Sequence, residues 1–328
     1  MSNPKHSALS YLNHDTPISA AWDNVGQSRL IPPKWVIQNV IPTGLTIHIA
    51  QPKSFKSTVD LHWMLRLVGK QPTLLPEHVS KPVRLGTVLM IATETKPGKI
   101  KFDAMFGLSV SLSESDPLHV QCNPFAFRLD NPDNIKELIY WLRRIQPLAL
   151  VIDPLANSHG VDENDAGDMI AMVQPLQQYA IDNDMAVILV HHTRKPGEKA
   201  KVDEILDPNM GRGTGALVGL ADGIITQAIV SGPTEESPDD PFILRMAGKY
   251  KSGNAFREDL ELNLDWARMN LDATIAANVF NAIMDGPIAA EDCARTLGLR
   301  EQDVLKYFLY MNKQKMIVRI GQKWEVVT

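Results

Sequence analysis

From Gly44 to about Leu264, short runs of β-branched and apolar residues alternate with longer stretches in which apolar residues recur every three or four positions. This alternation predicts an α/β fold, a mainly parallel sheet with crossover helices on both faces. The predicted strands are "LTIHIA" (45–50), "GTVLMIA" (86–92), "HVQC" (119–122), "LALVID" (148–153) and "MAVILVHH" (185–192). The stretches "STVDLHWMLRLVG", "NIKELIYWLRRI" and "AGDMIAMVQPLQQYAIDN" are the covering helices. Pro175 in the last of them is expected to kink the helix or shift its start. Further on, "LADGIITQAIV", "FILRMAGKYK" and "EDLELNLD" are expected to extend the sheet in antiparallel fashion.

A second pattern begins near Asp272. Three amphipathic stretches, "TIAANVFNAIMDG", "IAAEDCARTLG" and "REQDVLKYFLYMNKQK", are followed by two short strands around a "GQ" turn, the plan of a winged helix-turn-helix. The expected division is an N-terminal segment (1–29), an α/β domain (30–268) and a small C-terminal domain (272–328). At 328 residues and 44% hydrophobic content the chain suffices for one large core plus a small one. A net charge of −5 gives no general affinity for polyanions, so any nucleic-acid contact must come from local basic patches. No apolar run reaches the roughly 20 residues that span a bilayer, and the first residues lack a secretory pattern, so the cytoplasm is the expected compartment. Cys122 and Cys293 read as free thiols.

Chemistry enters at "AQPKSFKST", Ala50 to Thr58. A phosphate-binding loop follows G-x-x-x-x-G-K-S/T, and this stretch keeps the final Lys56-Ser57 while Ala50 and Phe55 occupy the glycine positions. Its context fits, since it follows an apolar strand and opens an amphipathic helix whose N-terminal dipole favours anions. Gln51, Pro52, Lys53, Ser54, Phe55, Lys56, Ser57 and Thr58 are the candidate nucleotide-binding residues. Lys56 would meet the β- and γ-phosphates and Ser57 would be a Mg²⁺ ligand. Phe55 must then point away from the nucleotide. Asp153, ending the strand "LALVID", can hold Mg²⁺ directly or through water, and Glu94, just past "VLMIA", can orient the attacking water. His191 and His192 end another strand at the same edge; adjacent strand residues face opposite ways, which argues against zinc, and His192 is the expected γ-phosphate contact.

Together these elements resemble the RecA-like P-loop ATPases, and more closely the RepA-type hexameric helicase ATPases of plasmids and phages, whose loop often reads PKS, then Phe or Tyr, then KS. Also similar are "IPPKWVIQNVIPTGLTIHIA", "VIDPLA" with "DENDAGDM", "VHHTRK", "RGTGALVGLAD" and "GKYKSGN", so the resemblance covers about Leu30 to Leu264. Ala50, where many relatives carry glycine, is the departure. The resemblance implies ATP and Mg²⁺ as cofactors, Glu94 as the catalytic carboxylate, Asp153 on the magnesium side and His192 as the γ-phosphate sensor. It places Arg212 as an arginine finger, and Lys249 and Lys251 near late basic positions that act on a neighbouring subunit's nucleotide. The implied partners are single-stranded and double-stranded DNA, further copies of the chain in a hexamer or other homo-oligomer, and other replication or recombination proteins, with no membrane.

In RecA-like rings the segment after the histidines faces the central channel, so Arg194, Lys195, Lys199 and Lys201 are candidate contacts to single-stranded DNA. On the C-terminal unit, Lys306, Lys313, Lys315 and Arg319 are candidates for duplex phosphates, protein docking being the other use of such a module. Three functions follow. The first is an ATP-dependent DNA-acting motor of mobile-element or phage type, either a helicase or a loader or recombination ATPase. The second is a non-enzymatic DNA-binding regulator of replication or transcription with a degenerate nucleotide site. The third is a metabolic kinase, for which no acceptor site is evident.

Overall fold

Gly44–Ala50 is buried at every position, as expected of a central parallel strand covered on both faces. The computed structural model describes residues 32–122, 127–194, 201–211, 213, 215–233, 237, 240–262, 273–313 and 316–327. The strands are β1 (Trp35–Ile37), β2 (Ile41–Pro42), β3 (Gly44–Ala50), β4 (Val88–Ala92), β5 (Leu118–Gln121), β6 (Ala149–Asp153), β7 (Ala186–His192), β8 (Gly223–Ser231), β9 (Phe242–Tyr250) and β10 (Ala255–Leu262). The helices of this part are α1 (Lys56–Leu67), α2 (Pro97–Phe102), α3 (Pro132–Ile145), α4 (Ala166–Asp182), α5 (Val202–Ile205) and α6 (Ala216–Leu220). Strands β3 to β10 form one eight-stranded sheet in the order β10-β9-β8-β3-β7-β6-β4-β5.

All five predicted core strands are present, parallel to their neighbours and shifted by at most two residues at their ends. The expectation for the later strands needs one correction: β8 pairs with β3 in parallel, and only β9 and β10 are antiparallel. The reason is the connection. Thirty residues separate His192 from Gly223, enough for a crossover through α5 and α6 back to the start of the sheet, whereas the later strands are joined by shorter connections. Helix α4 starts where expected and is continuous through Pro175.

Strand alternation divides the core into two clusters. Leu45, Ile47 and Ile49 pack with α3, α4 and α6 residues such as Leu142, Val173 and Leu217. The opposite face, with Val88, Met90, Val151, Ile188 and Ile225, packs against Trp63, Met64 and Leu67 of α1. Local chemistry fixes the helix starts: the Asn131 side chain accepts from the Asp133 N–H with Pro132 beside it, and Asp165 accepts from the Asp168 N–H.

The C-terminal part comprises α7 (Ala273–Met284), α8 (Ala290–Leu297), α9 (Glu301–Lys313) and the antiparallel pair β11 (Ile317–Ile320) and β12 (Lys323–Val326). Gly321 takes φ 63° in the turn between them, a conformation glycine adopts without strain. Three helices and a hairpin therefore appear in the expected order, and Ile288 adds a β-bridge to Trp324. The sequence did not foretell the seat of this unit. Met105 and Phe106, in a π-helical turn after α2, belong to the same apolar cluster as Phe280, Phe308 and Met311, and the Tyr310 hydroxyl donates to the Phe106 carbonyl.

Candidate functional site

Four strand ends assemble the site. Ala50 is in register with His192 across β3 and β7, and Ala92 with Asp153 across β4 and β6. Two further bonds tie the ends together, Thr193 N–H to the Ala50 carbonyl (3.1 Å) and Thr93 N–H to the Asp153 carbonyl (3.0 Å). The turn after β3, the carboxylate of β6, the segment carrying Glu94 and the end of β7 thus share one carboxyl edge, where open α/β sheets bind their ligands.

The turn from Gln51 to Phe55 is closed by the Ser54 hydroxyl, which donates to the Gln51 carbonyl at 2.7 Å. Pro52 and Lys53 are exposed at its tip and Thr58 is half-buried in the first helical turn. Lys53 and Phe55 have φ of 62° and 63°, the left-handed region that favours glycine. Phe55 therefore stands where the template's second glycine is conformationally required, and the backbone adopts that shape regardless. Its ring packs against the core on the α1 face and meets Phe242 edge-on at 5.1 Å between centroids. It does not fill the phosphate pocket. Ala50 has no positive φ, so the first missing glycine is not required by backbone conformation.

Lys56, first in α1, is 7% exposed, and its ammonium lies 2.7 Å from Nδ1 of His192. His192 is the histidine in register with Ala50, while His191 pairs with Ile49 and is buried. Among the described residues, no three His, Cys, Asp or Glu side chains gather as a metal site. The Ser57 hydroxyl hydrogen-bonds Asp153. Burial first, and then the nearby Asp60 carboxylate, push the Asp153 carboxyl up to about 6 against the opposing pull of Ser57, Lys56 and His48. A buried carboxyl poised between neutral and charged, touching a serine hydroxyl, is a donor set suited to a divalent cation whose remaining ligands are water and phosphate oxygens. Glu94 is exposed on its loop, and its Oε1 accepts from Nδ2 of Asn157 at 2.8 Å.

The remaining expected residues lie elsewhere. Lys249 on β9 is exposed and in register with Ile224 of β8, while the loop edge is level with Gln227, so Lys249 sits towards the opposite end of the sheet. Lys251 is held there too, donating to the Leu220 carbonyl (2.6 Å) and pairing with Asp222 (3.2 Å). Neither reaches the chain's own phosphate loop. The Arg194 guanidinium donates to the Gly213 carbonyl, and Lys201 precedes α5 on the surface. The segment expected to be a long polar loop is partly folded: α5 and a 3₁₀ turn at Pro208–Met210 pack on β8, and Asp203 pairs with Arg245 and Arg257. On α9, Lys306 pairs with Asp303 at 3.5 Å and Lys313 is exposed; Arg319 lies over the Trp324 ring at 5.8 Å. Lys195, Lys199, Arg212 and Lys315 lie outside the described residues.

Sequence reasoning missed four residues here. Asn157 orients Glu94 from 63 positions away, and nothing local signals that. His48, Asp60 and Gln227 form a buried chain under the loop. Two of them left a trace, since His48 interrupts an apolar strand and Asp60 an apolar helix face.

A profile of the AAA domain family matches residues 13–198, more than half of the chain. A comparison with curated proteins returns no match. The matched span holds the phosphate loop, Glu94, Asp153 and His192, on a mainly parallel sheet that brings them to one edge. This chain belongs to the AAA domain family and is a P-loop ATPase with a RecA-like fold.

Proposed function

We propose that the chain is an ATP-dependent motor acting on DNA, a helicase or a loader or recombination ATPase of the RepA-like type found in mobile elements and phages, working as a ring or filament of identical subunits. The observation that carries this reading is the separation of basic residues from the loop. Lys56 and His192 meet at the carboxyl edge of the sheet, while exposed Lys249 lies towards the other end and does not reach its own chain's site. In a head-to-tail assembly such a residue faces the nucleotide of the next copy, and hydrolysis then depends on assembly. Lys251, tied to Asp222, is the weaker candidate for that role.

Within one subunit the residues divide the work. The loop amides and Lys56 bind the phosphates, His192 contacts the terminal one, and Glu94, oriented by Asn157, polarises the attacking water. Ser57 and Asp153 would hold Mg²⁺, which when bound neutralises charge developing on the phosphate oxygens. The placement of Phe55 against Phe242 favours a working site over a degenerate one. The C-terminal helices and hairpin are read as a winged helix-turn-helix that grips DNA through α9 and the hairpin.

Light scattering with and without ATP and single-stranded DNA tests this. A hexamer supports helicase work, and a filament that grows with DNA length supports recombination. A monomer under every condition overturns the assembling motor.

A further inference from the structure

Beneath the phosphate loop run three side chains that are entirely shielded from solvent, His48 on β3, Asp60 on α1 and Gln227 on β8. Burying such groups is unfavourable unless they are hydrogen-bonded, and these are bonded to one another in series. Oδ1 of Asp60 lies 2.8 Å from Nδ1 of His48. Nε2 of His48 lies 2.8 Å from Oε1 of Gln227. Nε2 of Gln227 donates to the Ser54 carbonyl at 2.6 Å.

The direction of this chain is fixed by its last member. A backbone carbonyl only accepts, so the amide nitrogen of Gln227 must face Ser54 and its oxygen must face His48. His48 therefore donates from Nε2, and its other nitrogen meets Asp60. Rotating the amide by half a turn would break the bond to Ser54 and set two carbonyl oxygens face to face.

Ser54 is the residue between Lys53 and Phe55, the two residues of this loop that take positive φ. The bond from Gln227 thus lands at the point where the loop backbone is most constrained. Gln227 itself is in register with Ala50, the last residue before the loop, so strand and loop are gripped from the same position. Helix α1 is part of the same frame, because Asp60 lies one turn beyond Lys56.

We propose that Gln227 is a positioning residue for the phosphate loop, holding it in its phosphate-binding shape through the Ser54 carbonyl and braced from behind by His48 and Asp60. On this view the chain does what glycines do elsewhere, letting the loop amides converge on a nucleoside triphosphate although Lys53 and Phe55 occupy strained conformations. The inference rests on the reading of this loop as a nucleotide site. It adds a strand of the sheet, β8, to a site otherwise built from β3, β4, β6 and β7.

The test is the full chain with Gln227→Glu, which keeps size and an acceptor for His48 but offers Ser54 only acceptors, and with Gln227→Met, which removes both bonds without adding charge. Binding of a fluorescent ATP analogue and steady-state hydrolysis are measured beside thermal unfolding. Both variants are expected to weaken binding and raise KM about tenfold while kcat changes less than about threefold, the pattern of an interaction shared by ground and transition states. Wild-type affinity and KM in folded Gln227→Met overturn the proposal, whatever Gln227→Glu does. An equal loss of kcat without a change in KM also overturns it. Failure of the wild-type protein itself to bind the analogue would count against the nucleotide site, a result distinct from either.

Discussion

The Lys56 ammonium lies 2.7 Å from Nδ1 of His192, joining two residues 136 positions apart at the mouth of the phosphate loop. The ammonium also lies 3.1 Å from Nε2, so it sits against both ring nitrogens of the imidazole. On the proposed function both groups touch a terminal phosphate, and an arriving triphosphate would exchange their mutual contact for contacts to its own oxygens.

His192→Ala should therefore affect ATP more than ADP. The expected result is a fall in kcat/KM of about a hundredfold, the scale of losing one charge-stabilising donor, with ADP affinity nearly unchanged. Titration with both nucleotides checks it. Equal weakening of the two would place His192 away from the terminal phosphate.

Glu94→Gln keeps an oxygen able to accept from Asn157, so folding and ATP binding should be retained. Loss of the carboxylate should reduce kcat by about a hundredfold or more. Single-turnover hydrolysis separates chemistry from binding here, and an unchanged rate would remove Glu94 from the mechanism.

Phe55 offers a test of strain. Phe55→Ala loses the contact with Phe242 and leaves φ of 63° on a residue with a Cβ, whereas Phe55→Gly loses the same contact but relieves the backbone. Both should be less stable than wild type, and the glycine variant should exceed the alanine variant by about 1 kcal/mol. Denaturant unfolding measures the order. Alanine at or above glycine would contradict a left-handed Phe55.

His62 supplies a pH dependence. Burial pushes its imidazole down to about 3, with the nearby Arg66 guanidinium adding to the effect, and Nδ1 accepts from the Leu75 N–H at 3.4 Å. The unfolded chain protonates near pH 6.5 and the folded chain near 3, so stability is full above 6.5 and declines as pH falls through that window. The decline from this group is about 1.4 kcal/mol per unit, or about 2 kcal/mol at pH 5. His62→Gln, still able to accept from Leu75, should flatten the slope between pH 6.5 and 5. An unchanged slope would show that His62 is not held neutral.

How much of this was legible follows from where each signal lies. Strands β6 and β7 are apolar runs up to their ends, where Asp153 and His192 stand, so motif and strand boundary coincide in sequence. The parallel direction of β8 is not written in its own residues; it depends on the length of the preceding crossover. Gln227 belongs to the loop only because β8 lies beside β3, a pairing that spans 173 positions between Gln227 and Ser54. The docking of Tyr310 and Phe280 on Phe106 is equally non-local, since "FDAMFG" reads as an ordinary amphipathic turn until its partner is known.

The most direct test of the central claim is ATP turnover by the purified chain with and without single-stranded DNA, in wild type and in Lys56→Ala. The account predicts hydrolysis that DNA stimulates and that Lys56→Ala abolishes. Turnover that is absent under every DNA condition, or that survives in Lys56→Ala, would contradict it.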